Sequence, residues 1–293
     1  MYAQKGEAIK SIQYLKQAVA PDILNEGDHG QALKLLGDLQ MQEKQYKEAL
    51  VNYTAWMDFT GQSDGNTWVK IGQIYSELKQ LDKVIVPADK AIAAFGDKHN
   101  QNPYVLKIQS YYERKMFNEA VDVLETVLQV FPENKTWWTQ LGMFYLLIED
   151  YERGLAVLDL SYKQGFLDKE SQIKTLASLY SSNQIPVKAA RILEKHIDSG
   201  LVKRDDKNLS SLANAWHAAQ HIDKAAKYYG EVAKMTNDAK HFRKQGMLLK
   251  QDEQFKAAVT ALNKALELGA SGEGRIQMSI AESHFYLEQY KKA

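Results

Sequence analysis

The sequence predicts an all-α solenoid built from about eight helix-turn-helix repeats. Three observations lead to this fold class. The 293 residues include only five prolines and are 45% hydrophobic, which favours helices around a large core. Apolar residues recur at helical spacing. One pattern of small and large residues also returns every 33 to 36 residues, and repetition at that interval is typical of stacked helix pairs.

Composition excludes several classes of function. The 37 basic and 37 acidic residues cancel, so no overall charge draws the chain to nucleic acid or anionic lipid. The absence of cysteine rules out disulfides, thiolate metal sites and cysteine nucleophiles. The chain contains no run of 18 apolar residues, so no membrane-spanning helix is predicted. The N-terminal "MYAQKGEAIKSIQYL" lacks the continuous apolar stretch of a secretory signal.

The repeat is defined by a small residue near the end of a predicted helix. In the first copy Gly37 is followed after twelve residues by a second small residue, Ala49, and four residues later by the large Tyr53. Helices approach closely only where side chains are small, so each copy is predicted to be a crossing pair of helices, A and B. The positions equivalent to Gly37 are Gly72, Ile108, Gly142, Ala177, Ala213, Gly246 and Ala281.

Two copies resemble a known repeat closely. "WVKIGQIY" from Trp68 and "WTQLGMFY" from Trp138 resemble the tetratricopeptide repeat (TPR), W-x2-L-G-x2-Y followed by A-x3-F. This resemblance covers nearly the whole chain. It implies a right-handed superhelix whose A helices line a concave groove. No repeat buries its apolar face alone, so the repeats must stack.

The repeats predict one solenoid over residues 1–293. The full repeats occupy 30–64, 65–100, 101–134, 135–169, 170–205, 206–238 and 239–273, after a leading half repeat and linker at 1–29 and before an incomplete eighth repeat at 274–293. Solenoids normally end in polar caps, and neither end resembles one. We therefore expect a solenoid truncated at both ends, cut from a longer protein.

The segment from Trp137 to Gly154 is rich in aromatic residues and raises the alternative of a ligand cage. Two apolar stripes at helical spacing favour a core position instead. One stripe is predicted to face helix B of the same repeat, and contains Trp138, Leu141, Gly142 and Tyr145. The other is predicted to pack against the adjacent repeat, and contains Trp137, Phe144 and Ile148.

Candidate chemical motifs are weak. His217 and His221 have the spacing of a helical zinc pair, but Ala218 stands where a zinc protease needs a general base. The repeat register places His217 at the end of helix A and His221 in the turn. "GASGEGR" (269–275) follows a helix and is interpreted as a link between repeats. No enzyme activity, metal site or cofactor is predicted.

Two prolines fall in predicted B helices. Pro87 lies inside the second repeat's helix B, where it removes a backbone hydrogen bond, so a local kink is predicted. Pro186 lies near the start of a later helix B, where proline is tolerated.

The resemblance to TPR proteins implies groove residues for a peptide partner. In the third and fourth repeats the groove positions are largely apolar: Val105, Gln109, Tyr112, Thr139, Met143, Leu146 and Leu147. This composition predicts a groove for an amphipathic or extended peptide. Leu146 and Leu147 equally fit a role in covering the seam between repeats.

The later repeats carry a basic groove lining: Lys174, Lys207, Asn214, Lys240, Arg243 and Lys250. Some members of the family hold a peptide's C-terminal carboxylate with Lys and Asn at such positions. Ser178 and Met247 depart from that pattern, so a complete carboxylate clamp is not predicted. An acidic partner segment and a solvated charged face both remain open.

Longer segments resemble one bacterial subfamily. These are "LKLLGDLQMQEKQYKEALVNYTAWMDFTG", "DKVIVPADKAI", "LDLSYKQGFLDKE" and "LASLYSSNQIPVKAARILEKHIDSGLVKRDDKNLSSLANAW". They resemble the exported TPR proteins that accompany TonB, ExbB and ExbD-type components in iron uptake by Gram-negative bacteria. This resemblance implies a non-enzymatic periplasmic adaptor whose leader has been removed. The alternatives are a cytoplasmic co-chaperone-like or assembly scaffold that binds peptide tails, and the regulatory arm of a longer enzyme.

Overall fold

The computed structural model of the chain describes residues 2–20 and 24–292. Within them the regular structure is entirely helical, which confirms the predicted fold class. Two 3₁₀ helices, Leu81–Val84 and Gly96–Lys98, accompany sixteen α-helices in the described residues. The α-helices are α1 (Tyr2–Val19), α2 (Glu26–Gln42), α3 (Tyr46–Thr60), α4 (Gly65–Glu77), α5 (Ile85–Phe95), α6 (Asn102–Glu113), α7 (Phe117–Val130), α8 (Lys135–Leu147), α9 (Tyr151–Lys163), α10 (Glu170–Ser182), α11 (Pro186–Asp198), α12 (Asp206–Ala218), α13 (Ile222–Thr236), α14 (Ala239–Gln251), α15 (Phe255–Glu267) and α16 (Glu273–Tyr286).

The chain consists of two compact units that divide between Asp150 and Tyr151. The first unit contains α1 to α8 and the second contains α9 to α16. Inside each unit every helix packs against the next one in the chain. Even-numbered helices from α2 onward are the A helices, and the odd-numbered helices that follow them are the B helices. A single solenoid over the whole chain stays a prediction.

A left-handed residue ends each A helix and fixes the length of the repeat. It is never glycine, and its φ lies between 56° and 62° in all eight cases: Lys44, Lys79, Lys115, Glu149, Gln184, Gln220, Glu253 and Glu288. The next amide donates to the carbonyl five residues back, as from Gln254 N to Leu249 O at 2.9 Å. This Schellman closure turns the chain directly into helix B. The interval between these turns is 33 to 36 residues, as the sequence predicts.

The small-residue positions lie where helices cross closely. A Cβ added to Gly37 would lie 3.0 Å from the Tyr53 ring, and one added to Gly246 would lie 2.6 Å from Leu262 Cγ. Both contacts join helix A to helix B of one repeat. Gly72 instead meets Leu106 of the next repeat's A helix at 3.0 Å. The predicted need for a small residue is confirmed at these crossings.

Contrary to the prediction from the sequence, Pro87 does not lie in the interior of a continuous helix. The second repeat's helix B is divided into the 3₁₀ helix Leu81–Val84 and α5, which starts at Ile85. Pro87 therefore lies in the first turn of α5, where an amide has no partner within the helix. The chain accommodates this proline by restarting the helix. Pro186 is the first residue of α11, as predicted.

Asp64 caps α4 and carries a favourable charge interaction. Its carboxylate accepts hydrogen bonds from Thr67 N at 2.8 Å and Thr67 Oγ1 at 2.9 Å, and pairs with Lys34 Nζ at 2.7 Å. Partial burial would raise the pKa of this carboxyl, but the hydrogen bonds from Lys34 and Thr67 outweigh it. The pKa of Asp64 is therefore held below its ordinary value.

Gly246→Ala should lower the free energy of unfolding by about 1–3 kcal/mol, because its methyl group overpacks the α14–α15 crossing. Gly274→Ala is the matched control, since a Cβ there meets nothing within 4 Å. That variant should be unchanged or up to about 1 kcal/mol more stable. Urea unfolding followed by circular dichroism compares the two, and equal stability of both variants would contradict the proposed crossing.

Asp64→Asn should reduce the loss of folding stability that occurs as the pH is lowered. A lowered folded-state pKa means that Asp64 contributes stability above its unfolded pKa, and that this contribution is lost as pH falls through the folded pKa. Asparagine caps helices as well as aspartate does, so the variant keeps the bond from Thr67 N but loses the charge and the oxygen that accepts from Thr67 Oγ1 and Lys34. At pH 7 the free energy of unfolding of wild type should exceed that of the variant by about 1 kcal/mol or less, because Asp64 is partly exposed. A gap that stays constant in urea titrations from pH 7 to pH 3 would refute this account.

Candidate functional site

The first unit contains an uncharged cleft between successive A helices, α6 and α8. We name it the A-helix cleft; its volume is about 490 Å³. Amide, hydroxyl, aliphatic and aromatic side chains form it, and no charged residue takes part. The lining residues are Gln101, Val105, Ile108, Gln109, Tyr112, Asn134, Thr136, Trp137, Gln140 and Phe144.

Helical spacing brings these side chains onto two stripes. Val105, Ile108 and Tyr112 are three and four residues apart on α6, and therefore share one face. Trp137 and Phe144 are two turns apart on α8. Val105 is 43% exposed and Tyr112 is 52% exposed, whereas Trp137 is only 5% exposed. The cleft consequently has an accessible apolar rim above a buried aromatic floor.

The α8 wall of the cleft holds unused hydrogen-bonding capacity. Trp137 Nε1 and Gln140 Oε1 are buried, and neither has a hydrogen-bond partner in the described part of the protein. Buried polar atoms are nearly always paired, so these two are exceptions. The neighbouring Trp138 differs, because its Nε1 donates to Pro132 O at 2.7 Å. A ligand can reach the unpaired atoms only if their side chains turn toward the cleft.

The aromatic run has a role beyond the one predicted. Trp137 and Phe144 are buried, and the Tyr112 ring centroid lies 5.8 Å from that of Phe144. These side chains pack toward the adjacent A helix, as predicted, and they also form the floor of a cleft. Helical spacing shows which face is apolar, but it does not show how completely the next helix covers that face. The predicted contact of Trp138 and Tyr145 with their own helix B stays a prediction.

The structure brings together part of the predicted apolar groove. Val105, Gln109 and Tyr112 line the A-helix cleft. The other four predicted residues lie outside this lining. Thr139 is buried and its Oγ1 donates to Lys135 O at 2.8 Å, while Met143 and Leu147 are 39% and 47% exposed and Leu146 is half-buried.

Several lining residues were missed from the sequence. Gln101, Asn134 and Thr136 lie at the starts of the two A helices, before the groove positions that the TPR resemblance supplies. Asn134 Nδ2 donates to Gln101 Oε1 at 3.0 Å across the two helix starts. Gln140 could have been predicted from helical spacing, because it lies on the same face of α8 as Trp137 and Phe144.

Two residues of the predicted basic groove line a second cleft, in the second unit. This polar cleft of about 480 Å³ lies between α10 and α12, and Lys174 and Asn214 contribute to it. Lys174 Nζ lies 3.5 Å from Glu170 Oε1. Asn214 Oδ1 accepts a hydrogen bond from the Tyr229 hydroxyl. Both groups are therefore already engaged in the free protein.

The remaining basic residues are dispersed. Arg243 Nη1 donates to Ser271 O at 2.7 Å, and Lys250 pairs with Glu282. Lys207 and Lys240 are exposed and lie outside the lining of the polar cleft. The structure does not assemble the six predicted residues into one site, and binding of an acidic segment there stays a prediction.

The weak chemical motifs fall where the sequence places them. His217 lies in the last turn of α12, whereas His221 precedes α13, so the two are not on one helix. Burial and the charge of Lys244 both lower the pKa of His217. Among the described residues, no cluster of three histidine or acidic side chains could hold a metal ion. Residues 268–272 link α15 to α16, with Gly269 and Gly272 in the left-handed region, whereas Glu273, Gly274 and Arg275 of the predicted link lie in the first turn of α16.

None of the helices in residues 2–20 and 24–292 combines the length and hydrophobicity of a membrane-spanning segment.

No protein-family model matches the chain. A TPR repeat-containing protein of Methanocaldococcus jannaschii is 21% identical over 332 residues, an alignment that covers 92% of this chain and 56% of that protein. The chain thus spans about half the length of this curated relative.

Solved structures show the fold. A chain of Naa15/Naa10 bound to HypK-THB has a TM-score of 0.58 at 16% identity, over 87% of this chain and 38% of that one. The C-terminal part of a TPR repeat-containing protein from Cytophaga hutchinsonii has a TM-score of 0.50 at 13% identity, over 83% of this chain and 98% of that one. The chain therefore has the helical-repeat fold of TPR proteins.

Proposed function

We propose that the protein is a non-enzymatic interaction scaffold that binds an extended, uncharged and largely apolar segment of a partner protein in the A-helix cleft. The observation that carries this proposal is the neutral lining of the cleft, in which exposed Val105 and Tyr112 face buried aromatic rings. Accessible apolar side chains beside convergent polar groups are typical of ligand sites.

The arrangement of polar groups favours a peptide as the ligand. An extended peptide presents alternating N–H and C=O groups, which must be paired when they leave water. The amides of Gln101, Gln109 and Gln140 lie around the cleft. Gln101 Oε1 accepts from Asn134 and Gln109 Nε2 donates to Glu113, but each amide has further donor and acceptor capacity for a ligand. Trp137 Nε1, which has no hydrogen-bond partner among the described residues, adds a donor once its side chain turns toward the cleft. A charged partner side chain would find no counter-charge among the lining residues.

Val105→Glu should weaken binding of such a segment at least tenfold, or about 1.4 kcal/mol. The variant places a carboxylate in a neutral cleft where nothing compensates its desolvation. A random peptide library displayed on phage is selected on the whole chain, and enriched peptides are measured by fluorescence anisotropy.

Leu147→Glu is the matched control, because it makes the same change at a similarly exposed residue of the predicted groove that lies outside the cleft. Its affinities should equal those of wild type. If Leu147→Glu abolishes binding and Val105→Glu does not, the ligand uses the wider groove and the cleft assignment fails. Thermal unfolding of both variants checks that each is folded.

A finer role rests on the subfamily resemblance. We propose a periplasmic adaptor that works with TonB, ExbB or ExbD-type proteins, the alternative being a cytoplasmic co-chaperone-like scaffold. Affinity capture from detergent-solubilised envelope of the source organism, with Val105→Glu as control bait, should recover such proteins with the wild-type chain only. Recovery of soluble cytoplasmic proteins alone would favour the alternative.

A further inference from the structure

A second cleft lies on the B-helix side of the first unit. It has a volume of about 580 Å³ and lies between α3 and α5, above one face of α4. We name it the B-helix cleft. Its floor is formed by Trp68, Ile71 and Tyr75, which are three and seven residues apart on α4 and so share one face.

The floor is a place where two core clusters reach the surface. Trp68 and Tyr75 pack against a cluster that contains Tyr53 and Ile74, and also against one that contains Val84. Both aromatic side chains are only partly buried. The apolar core of the first unit is therefore accessible to a ligand between the two B helices.

The divided helix B forms one wall of this cleft. The restart of α5 places Pro87 and Val86 at the cleft, and Val86 is 60% exposed. Ala88 and Ala91, on another face of α5, are fully buried. An apolar side chain of a ligand can be buried between such an exposed apolar residue and the aromatic floor.

Two lysines on this wall have no acidic partner among the residues that the structure describes. Lys90 Nζ lies 4.3 Å from the Trp68 ring centroid, and Lys83 Nζ lies 6.0 Å from that of Tyr75. Neither forms an ion pair within the described part of the chain, whereas Lys107 pairs with Asp89 at 2.7 Å. Their charges are held at the cleft by the faces of the aromatic rings.

We propose that the B-helix cleft binds an acidic, apolar segment of a partner protein, independently of the A-helix cleft. Lys83 and Lys90 are seven residues apart, which corresponds to a rise of about 10 Å along the helix axis. On an extended peptide, carboxylates four residues apart share one face and lie about 13 Å apart, a separation that the flexible lysine side chains can meet. An apolar side chain between them seats on Trp68 and Ile71. The α3 wall also contributes Asp58, so the lining holds two lysines against one carboxylate, and its excess positive charge favours this occupant over a basic or neutral one.

The test uses the whole chain and a displayed library of random 12-residue peptides. Selection should enrich peptides in which acidic residues flank large apolar ones. These should lose at least tenfold in affinity for Lys83→Glu/Lys90→Glu. Their binding should quench or enhance tryptophan fluorescence in wild type, and this change should be lost in Trp68→Phe.

Matched variants separate this site from nonspecific charge and from the A-helix cleft. Lys47→Glu/Lys98→Glu makes the same change in net charge at exposed lysines outside the cleft and should keep wild-type affinity, as should Val105→Glu. Equal loss in both double variants would overturn the proposal.

Two further outcomes would replace the partner peptide with another occupant. If dodecanoate binds with the same dependence on Lys83 and Lys90 while no acidic peptide does, the cleft takes a small amphiphilic anion. If sedimentation shows self-association that Lys83→Glu/Lys90→Glu abolishes, a second copy of the chain occupies it. Either result would refute the proposal that a partner segment binds in the B-helix cleft.

Discussion

The structure depends on the crossing of helices A and B, which in most repeats is made close by a small residue on helix A. At Gly246 and Gly37 the space for even a methyl group is taken by Leu262 and Tyr53. These large residues are buried because the opposing helix comes so close: Tyr53 and Leu262 are fully buried. Without the crossing, each helix pair would leave its apolar face in water, and the repeats could not stack into a continuous core.

The clefts are consequences of this stacking. Helices that cross closely at one point must diverge elsewhere. Side chains fill the space between the diverging helices only in part. In the first unit this leaves one cleft between A helices and another between B helices. The A-helix cleft is uncharged and rich in amides, whereas the B-helix cleft is aromatic with two lysines on one wall. The two surfaces therefore differ in charge and in polar groups, so the two proposed ligands differ in chemistry.

Ion pairing decides which charges remain available for recognition. The overall charge is balanced, so only local arrangement matters. Lys34 and Lys250 are paired with carboxylates, and Lys174 lies beside Glu170. Lys83 and Lys90 instead contact aromatic faces, which stabilise a cation without neutralising it. A count of lysines along a predicted groove consequently overestimates its capacity to bind an acidic segment.

The sequence by itself determined the helical class, the repeat interval and the small residues at the crossings, because these follow from local spacing along one chain. The groove positions that the TPR resemblance implies include Val105, Gln109 and Tyr112, which line the A-helix cleft. Tertiary structure decided the rest. Thr139 is buried and Trp137 reaches a cleft, because both outcomes depend on what the neighbouring helix covers. Pro87 lies in the first turn of a restarted helix. The pairing of lysines likewise depends on side chains about 30 residues away in the chain, which one-dimensional spacing does not report.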